Sequence, residues 1–237
     1  MKGRTIIRTA LVLAALALLP QAAAAQQPAS QRQAVDLGAF TKEIMLLNFE
    51  GNQQHLVMWL PYEFFVAAAT ADGITTREAM EKEMGFLKSY LTLLVMNGMD
   101  RPDGTSVYAG EAEVRKRAAL RLADGTEVRP LDAVPPKLSA IVAAMKAFMA
   151  QQGGADRENM HIIVFPAATS AGKSVVDATR KDSLNLVLKA DARFRETAFT
   201  WRTPFDALTA VPDCPRCKAG VSAKWTYCPY CGQKLPQ

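Results

Sequence analysis

The residues with the clearest chemical potential are four cysteines near the C-terminus of the 237-residue chain. Cys214 and Cys217 form one Cys-Pro-x-Cys pair, and Cys228 and Cys231 form a second pair after a gap of ten residues. A two-residue spacing lets one tight turn present two thiolates to a single metal ion, and two such turns complete the tetrahedral shell that zinc prefers. The spacing therefore predicts a metal site with these four cysteines as ligands.

The residues around the cysteines suit tight turns. Pro215 and Pro229 restrict φ within the two turns, and Gly232 can take the positive φ that brings backbone N–H groups close to thiolates. The stretch from 212 to 235 resembles the zinc-ribbon superfamily, whose members carry Cys-Pro-x-Cys-Gly knuckles. The resemblance implies a metal-stapled mini-domain with the four cysteines as its ligands, and it implies no substrate.

A segment of this length needs a staple, because about two dozen residues cannot form a stable core unaided. We place the ribbon at residues 211–237 and expect Trp225, Tyr227 and Tyr230 to be its few packing side chains. Zinc is the expected metal because it is the commoner occupant of such sites. Four thiolates also suit iron, as in a rubredoxin-like site, so the sequence leaves that metal open.

Two other uses of the cysteines stay open. Disulfides are the stronger alternative, because an exported protein meets an oxidising compartment and four cysteines allow three pairings. Thiol redox chemistry is the weaker one, although Cys228-Pro-Tyr-Cys231 spells the active-site motif of glutaredoxins. That motif needs a reactive thiolate at the start of a helix within an α/β unit, and only six residues follow Cys231.

Three further patterns have ordinary explanations that we favour. The segment from Ala167 to Ser174 nearly matches a phosphate-binding loop, but alanine replaces its first glycine and no clear helix follows, so we predict a surface loop. The methionine pairs Met80/Met84 and Met145/Met149 could bind Cu(I), yet each pair lies on the apolar side of a predicted helix. We therefore predict that these methionines fill the core.

Catalytic patterns are weak in this sequence. His55 and His161 are the two histidines, and neither has a partner at a spacing typical of a metal or nucleophile site. No Gly-x-Ser-x-Gly turn occurs, and the acidic residues are scattered. A concave polar pocket with a strongly perturbed carboxylate or histidine would favour an enzyme, whereas a flat apolar patch near the ribbon would favour docking to a partner.

Short apolar runs separated by turn residues predict strands along much of the chain. Runs on both sides of Glu50-Gly-Asn52 predict a strand pair, and alternation around Asp124-Gly125 predicts a hairpin. We expect the run that begins at Tyr90 to end in a turn at Asn97-Gly98. Three more predicted strands lie at 161–165, 184–188 and 197–202.

Two segments have the three-to-four-residue apolar spacing of a helix. One follows a cap at Thr75 or Thr76 and runs up to the predicted strand that begins at Tyr90, and the other runs from Lys137 to about Gln151. Many strands with few helices predict a mainly β, α+β domain over residues 36–210. Our first choice is an antiparallel, immunoglobulin-like β-sandwich with two helical insertions, followed by the small C-terminal ribbon.

The first 25 residues have the three regions of a signal peptide. Lys2, Arg4 and Arg8 precede an apolar stretch too short to span a bilayer, and small residues up to Ala25 provide a cleavage site. We therefore expect a periplasmic or secreted protein without a stable membrane span in the mature chain. Residues 26–35 are polar and small, so we expect a flexible leader.

Removal of the signal peptide leaves little net charge. The formal charge falls from +5 to +2, because the segment contains three basic residues and no acidic ones. This balance argues against a nucleic-acid partner. We expect an exported non-enzymatic protein whose ribbon is structural or docks to a protein, with its oligomeric state left open. The alternatives are an extracytoplasmic enzyme assembled within the β-rich part, or a metal-handling protein.

Overall fold

The computed structural model describes residues 35–71, 73, 75–151, 158–209 and 212–236. The predicted signal peptide and nearly all of the predicted leader lie outside these residues. Nine strands are described: β1 Met45–Glu50, β2 Gln53–Leu60, β3 Tyr90–Asp100, β4 Ser106–Tyr108, β5 Ala118–Arg121, β6 Glu127–Val128, β7 His161–Pro166, β8 Asp182–Leu188 and β9 Thr197–Thr203. Five α-helices accompany them: α1 Leu37–Ile44, α2 Tyr62–Thr70, α3 Arg77–Met84, α4 Glu111–Arg117 and α5 Pro136–Gln151.

The strands form two antiparallel sheets. The first sheet has the order β1-β2-β3-β4, and β7 pairs with the first part of β3, whereas the second sheet has the order β6-β5-β8-β9. This arrangement confirms the prediction of a mainly β, α+β fold with antiparallel pairing and helical insertions. The immunoglobulin-like sandwich is a finer prediction, and this strand order does not establish it.

The main core lies where the inner faces of the two sheets meet. Strand β2 alternates buried and less buried residues, and its inner side chains contact side chains of β9. The indole rings of Trp59 and Trp201 meet edge to face with centroids 6.3 Å apart, and the His55 ring lies 5.9 Å from the Phe199 ring. Edge-to-face contacts of this kind add to the free energy gained from burying the rings. These contacts join the two sheets into one body, the two-sheet body (residues 35–209).

Both predicted hairpins are confirmed. Strands β1 and β2 pair in register from Met45 opposite Met58 to Glu50 opposite Gln53, with Gly51 at a φ of 63° in the turn. Strands β5 and β6 flank Gly125, whose φ is 83°. Glycine takes this left-handed conformation without the steric cost that a Cβ atom brings.

The predicted turn at Asn97-Gly98 is wrong, because β3 continues through these residues to Asp100. Gly98 pairs with Tyr108 of β4, and a Cβ atom on Gly98 would lie 2.8 Å from the Tyr108 ring. Glycine therefore serves here as the residue over which an aromatic ring packs. The chain turns later, where Gly104 N–H donates to the carbonyl of Arg101 and Gly104 has a φ of 81°.

The prediction of only two helices is also wrong. Helix α1 begins after Asp36, whose side chain accepts a hydrogen bond from the N–H of Ala39, and it includes residues that the sequence pattern assigned to the first strand. Helix α2 is buried along most of its length, so its sequence has no polar stripe to reveal helical periodicity. Helix α4 is a seven-residue segment. Among the described residues, no helix has both the length and the apolar character needed to cross a membrane.

The first predicted helix is shorter than its apolar spacing suggested. Helix α3 begins after Thr76, whose hydroxyl caps the N–H of Ala79, and it ends at Met84. A 3-10 helix, Gly85–Ser89, then leads into β3. The second predicted helix is confirmed as α5.

Candidate functional site

The structure brings the four predicted ligands together. The sulfur atoms of Cys214, Cys217, Cys228 and Cys231 all lie within 4.8 Å of one another. Across the two turns, the Cys214 and Cys231 sulfurs are 3.7 Å apart, as are those of Cys217 and Cys228. Four sulfurs placed tetrahedrally about 2.3 Å from a metal ion are separated by about 3.8 Å. The cysteines therefore cluster at metal-binding distance, in a zinc-ribbon-like pair of knuckles.

The two knuckles are structural repeats offset by fourteen residues. The N–H of Cys214 donates to the carbonyl of Ala219, and the N–H of Cys228 donates to that of Gln233. The same relation holds for the bridges from Asp213 to Gly220 and from Tyr227 to Lys234. Each knuckle thus builds its own half of the site with the same backbone hydrogen bonds, and neither half depends on a long side chain.

The residue after each second cysteine has a left-handed backbone. Lys218 has a φ of 60° and Gly232 has a φ of 72°, and each N–H donates over 2.9 Å to the carbonyl of the first cysteine in its knuckle. This turn is natural for glycine, whereas a residue with a Cβ atom is strained in it. Lys218 is therefore strained in the first knuckle, whereas Gly232 takes the equivalent conformation without strain.

Burial and hydrogen bonding make the cysteines unequal. Cys214 and Cys228 are buried, Cys231 is half-buried and Cys217 is exposed. Hydrogen bonds from the N–H groups of Cys217 and Arg216 outweigh burial and lower the pKa of the Cys214 thiol to about 6. The N–H of Ala219 acts in the same direction on Cys217, but burial and the three neighbouring thiols raise the pKa of Cys217 to about 12. The cluster thus releases one proton readily and holds another tightly.

The prediction that three aromatic side chains pack the core of the knuckle segment (residues 212–236) is wrong. Trp225, Tyr227 and Tyr230 are 41%, 59% and 69% exposed. Val221 and Leu235 occupy the small core instead, against the buried cysteines. These two residues are equivalent in the fourteen-residue repeat, and the N–H of each donates to a carbonyl at the start of its own knuckle. The aromatic rings are therefore free of the core that the sequence assigned to them.

Comparison with models of known families, with curated proteins and with solved structures finds no match. The description of the site consequently depends on this chain's own geometry. Two observations define it: the distances between the sulfur atoms, and the repeated backbone hydrogen bonds that hold each cysteine pair.

The knuckle segment contacts the two-sheet body through a charged cluster. The ammonium group of Lys224, which lies between the two knuckles, donates to the carboxylate of Glu43 and is 3.5 Å from that of Asp206. The Ser222 hydroxyl donates to Asp206 over 2.8 Å. Glu43 also accepts hydrogen bonds from the N–H groups of Asp206 and Ala207. The exposed aromatic side chains are thus carried on a segment that is anchored to the body.

The other sequence patterns lie in a surface loop and in the main core. Lys173 of the near phosphate-binding loop forms an ion pair with Asp124 at 2.7 Å, and the loop carries no helix at its end. This agrees with the predicted surface loop. Met80 and Met145 are buried, and their partners Met84 and Met149 pack against the same core. The methionine pairs therefore fill space, as predicted.

A buried polar network between the sheets has no signal in the sequence. His55 is 1% exposed, and its Nδ1 and Nε2 atoms lie 3.0 Å from Asn97 Nδ2 and 3.3 Å from the Thr197 hydroxyl. Arg117 is also buried and donates to Asn97 Oδ1, to the carbonyl of Lys189 and to other groups of the same loop. The network joins strands and a helix that are far apart in the chain, so only the folded structure reveals it.

Proposed function

We propose that this chain is an exported, non-enzymatic protein whose C-terminal ribbon binds one structural zinc ion and docks to a protein partner. The observation that supports this most directly is the cluster of four sulfurs within 4.8 Å of one another. A structural zinc site supplies folding free energy to a segment whose own core contains few side chains. The ion would hold the two knuckles in the orientation that presents the exposed aromatics.

Zinc is our choice of metal because four thiolates clustered at metal-binding distance suit the tetrahedral shell that zinc prefers. Iron can use the same donors, so metal analysis must distinguish the two. The Cys214 and Cys231 sulfurs are 3.7 Å apart, as are the Cys217 and Cys228 sulfurs. The two sulfurs of a disulfide bond are only about 2.05 Å apart. Two disulfides would therefore require the knuckles to rearrange.

The docking role is supported by the composition of the ribbon surface. Trp225, Tyr227 and Tyr230 are exposed there, and aromatic side chains are enriched at protein interfaces. Arg216 and Lys234 are also exposed on the same segment. A partner that offers an apolar pocket with an acidic rim would suit this surface.

The test is the metal content and the free-thiol count of the mature protein purified from its native compartment. We expect one zinc ion per chain and four thiols that become reactive only after chelation and unfolding. A metal-free protein with two disulfides would refute the zinc site. One iron ion per chain would keep the four-cysteine site but refute the choice of zinc.

Docking needs a separate measurement in cells. A photo-crosslinking residue in place of Tyr230 should yield a defined adduct with another protein, because this ring is 69% exposed on the ribbon. The same substitution at Glu196, an exposed residue of the two-sheet body, provides the matched control. Adducts of equal yield at both positions, or none at Tyr230, would contradict the docking role.

A further inference from the structure

The outer edge of strand β1 carries a candidate interface that is independent of the proposed ribbon function. Within the described part of the chain, β1 lies at the end of its sheet and pairs only with β2. Leu47 is 54% exposed and Phe49 is 71% exposed. Their side chains lie on the same face, because alternate residues of a strand point to the same side of the sheet. The edge therefore presents two large apolar side chains to solvent.

The backbone groups of the same two residues also point away from the sheet. The Asp100 N–H donates to the Asn52 carbonyl over 2.8 Å, so Asn52 and every second residue after it hydrogen-bond to β3. Gln53 and every second residue after it are then hydrogen-bonded to β1. In the register of β1 with β2, this leaves the N–H and C=O groups of Leu47 and Phe49 facing outward.

The other sheet edges among the described strands are protected in ways that β1 is not. Strands β4 and β6 have only three and two residues. Strand β7 is covered where the Leu131 N–H donates to the Val164 carbonyl, and β9 carries the exposed Arg202. Short length, covering and charge commonly prevent a sheet edge from pairing with another chain. Strand β1 has six residues, and its one charged residue is Glu50 beside the turn.

A second copy of β1 complements this edge in one register. A twofold axis at Asn48 pairs two β1 strands antiparallel, with Leu47 opposite Phe49 of the second copy. This register uses the outward N–H and C=O groups of both residues, which gives four backbone hydrogen bonds. A register centred on Leu47 would oppose Phe49 with Met45, whose N–H already donates within its own chain. A register centred on Phe49 would place Leu47 opposite the turn at Gly51.

Pairing in the register centred on Asn48 would also bury the exposed side chains. Each Leu47 would lie directly opposite a Phe49, and aliphatic and aromatic side chains in such cross-strand pairs stabilise one another. Leu56 of β2, which is opposite Leu47, extends the same face. Glu50 would lie opposite Leu46 of the second copy, so the two Glu50 carboxylates do not oppose each other.

We propose that two copies of this protein form a closed dimer by antiparallel pairing of their β1 strands. The pairing joins the two five-stranded sheets into one continuous sheet. Because it is symmetrical, it uses the β1 edge of both copies and leaves none for a third copy. A contact based on one short strand is smaller than a standard protein interface, so we expect a Kd of roughly 10–100 micromolar.

Sedimentation equilibrium of the mature chain, from about 5 to about 500 micromolar, measures the association. We expect an equilibrium between monomer and dimer. Phe49→Lys places on this edge the kind of charge that protects sheet edges, and it should weaken dimerisation at least tenfold. Tyr230→Lys is the matched control, because Tyr230 is a similarly exposed aromatic residue of the ribbon, and it should leave the Kd unchanged.

Amide hydrogen exchange distinguishes this pairing from association through another surface. The N–H groups of Leu47 and Phe49 should exchange at least threefold more slowly at about 500 micromolar than at about 10 micromolar, whereas those of the ribbon should exchange at the same rate. The proposal is overturned if the protein stays monomeric, if species larger than the dimer form, or if Phe49→Lys dimerises as tightly as the wild type. It is also overturned if Tyr230→Lys dissociates the dimer, or if exchange at Leu47 and Phe49 does not depend on concentration.

Discussion

Protonation of His55 should destabilise the fold, and the hydrogen-bond directions explain why. The Arg117 guanidinium can only donate, so Asn97 must present its Oδ1 atom to Arg117 and its Nδ2 atom to His55. The His55 Nδ1 atom must then accept that hydrogen bond and cannot carry a proton. A second proton on the imidazole would place two donors against each other in a buried site.

The magnitude follows from the pKa of His55. Burial, together with the nearby charge of Arg117, lowers the pKa of His55 from 6.5 to about 4. The unfolded chain therefore binds the proton first as the pH falls. The stability associated with neutral His55 is fully present above about pH 6.5 and decreases as the pH drops towards about 4. The total loss corresponds to about 3 kcal/mol, of which about 2.5 kcal/mol is lost by about pH 4.5.

Urea unfolding followed by tryptophan fluorescence, at about pH 7 and about pH 4.5, measures this effect. His55→Gln offers an oxygen to Asn97 and an N–H to Thr197 without titrating. We expect the free energy of unfolding to fall by about 2.5 kcal/mol more in the wild type than in this variant. Carboxylates titrate in both proteins, so their contribution cancels in the comparison.

His161 provides the matched control, because its Nε2 atom lies 2.9 Å from the carbonyl of Ala109, outside the buried network. His161→Gln should retain the difference that His55→Gln removes. If wild type and His55→Gln lose the same free energy between the two pH values, the hydrogen-bond directions deduced for Asn97 are wrong. An equal effect of both variants would refute the special role of His55.

Two further predictions concern the knuckles. Both Lys218 and Gly232 have a left-handed φ, so Lys218→Gly should stabilise the metal-bound ribbon by about 1 kcal/mol and Gly232→Ala should destabilise it by about as much. Competition with a zinc chelator should therefore show a roughly fivefold increase in apparent zinc affinity for the first variant and a similar decrease for the second. Cys214→Ser should abolish tight metal binding and leave the thermal transition of the two-sheet body in place. Calorimetry of that variant checks this, and loss of the transition would show that the two parts fold as one unit.

The sequence predicted the parts of the structure that depend on neighbouring residues. The cysteine spacing predicted that the four sulfurs cluster, because a Cys-x-x-Cys turn is local. The turns at Gly51 and Gly125 were predicted because glycine at positive φ is a local requirement. Asn97-Gly98 shows the limit of such arguments. These residues are typical of a turn, but packing against Tyr108 keeps them within a strand.

Features that depend on distant contacts could not be predicted in this way. Helix α2 lacks a polar stripe because the surrounding elements bury it. His55 and Thr197 meet only when the two sheets pack together. The exposure of Trp225 also depends on how the two knuckles pack together, because Val221 and Leu235 occupy their shared core with the buried cysteines.

The contact between the ribbon and the two-sheet body explains why a cysteine variant should spare the body. Glu43 accepts two backbone N–H groups of the body in addition to the Lys224 ammonium group. If the knuckles unfold, Glu43 keeps its backbone donors and gains water in place of Lys224, so the body loses little. The two parts therefore differ: the body keeps its own core and the backbone hydrogen bonds to Glu43, whereas the proposed zinc ion supplies folding free energy to the ribbon.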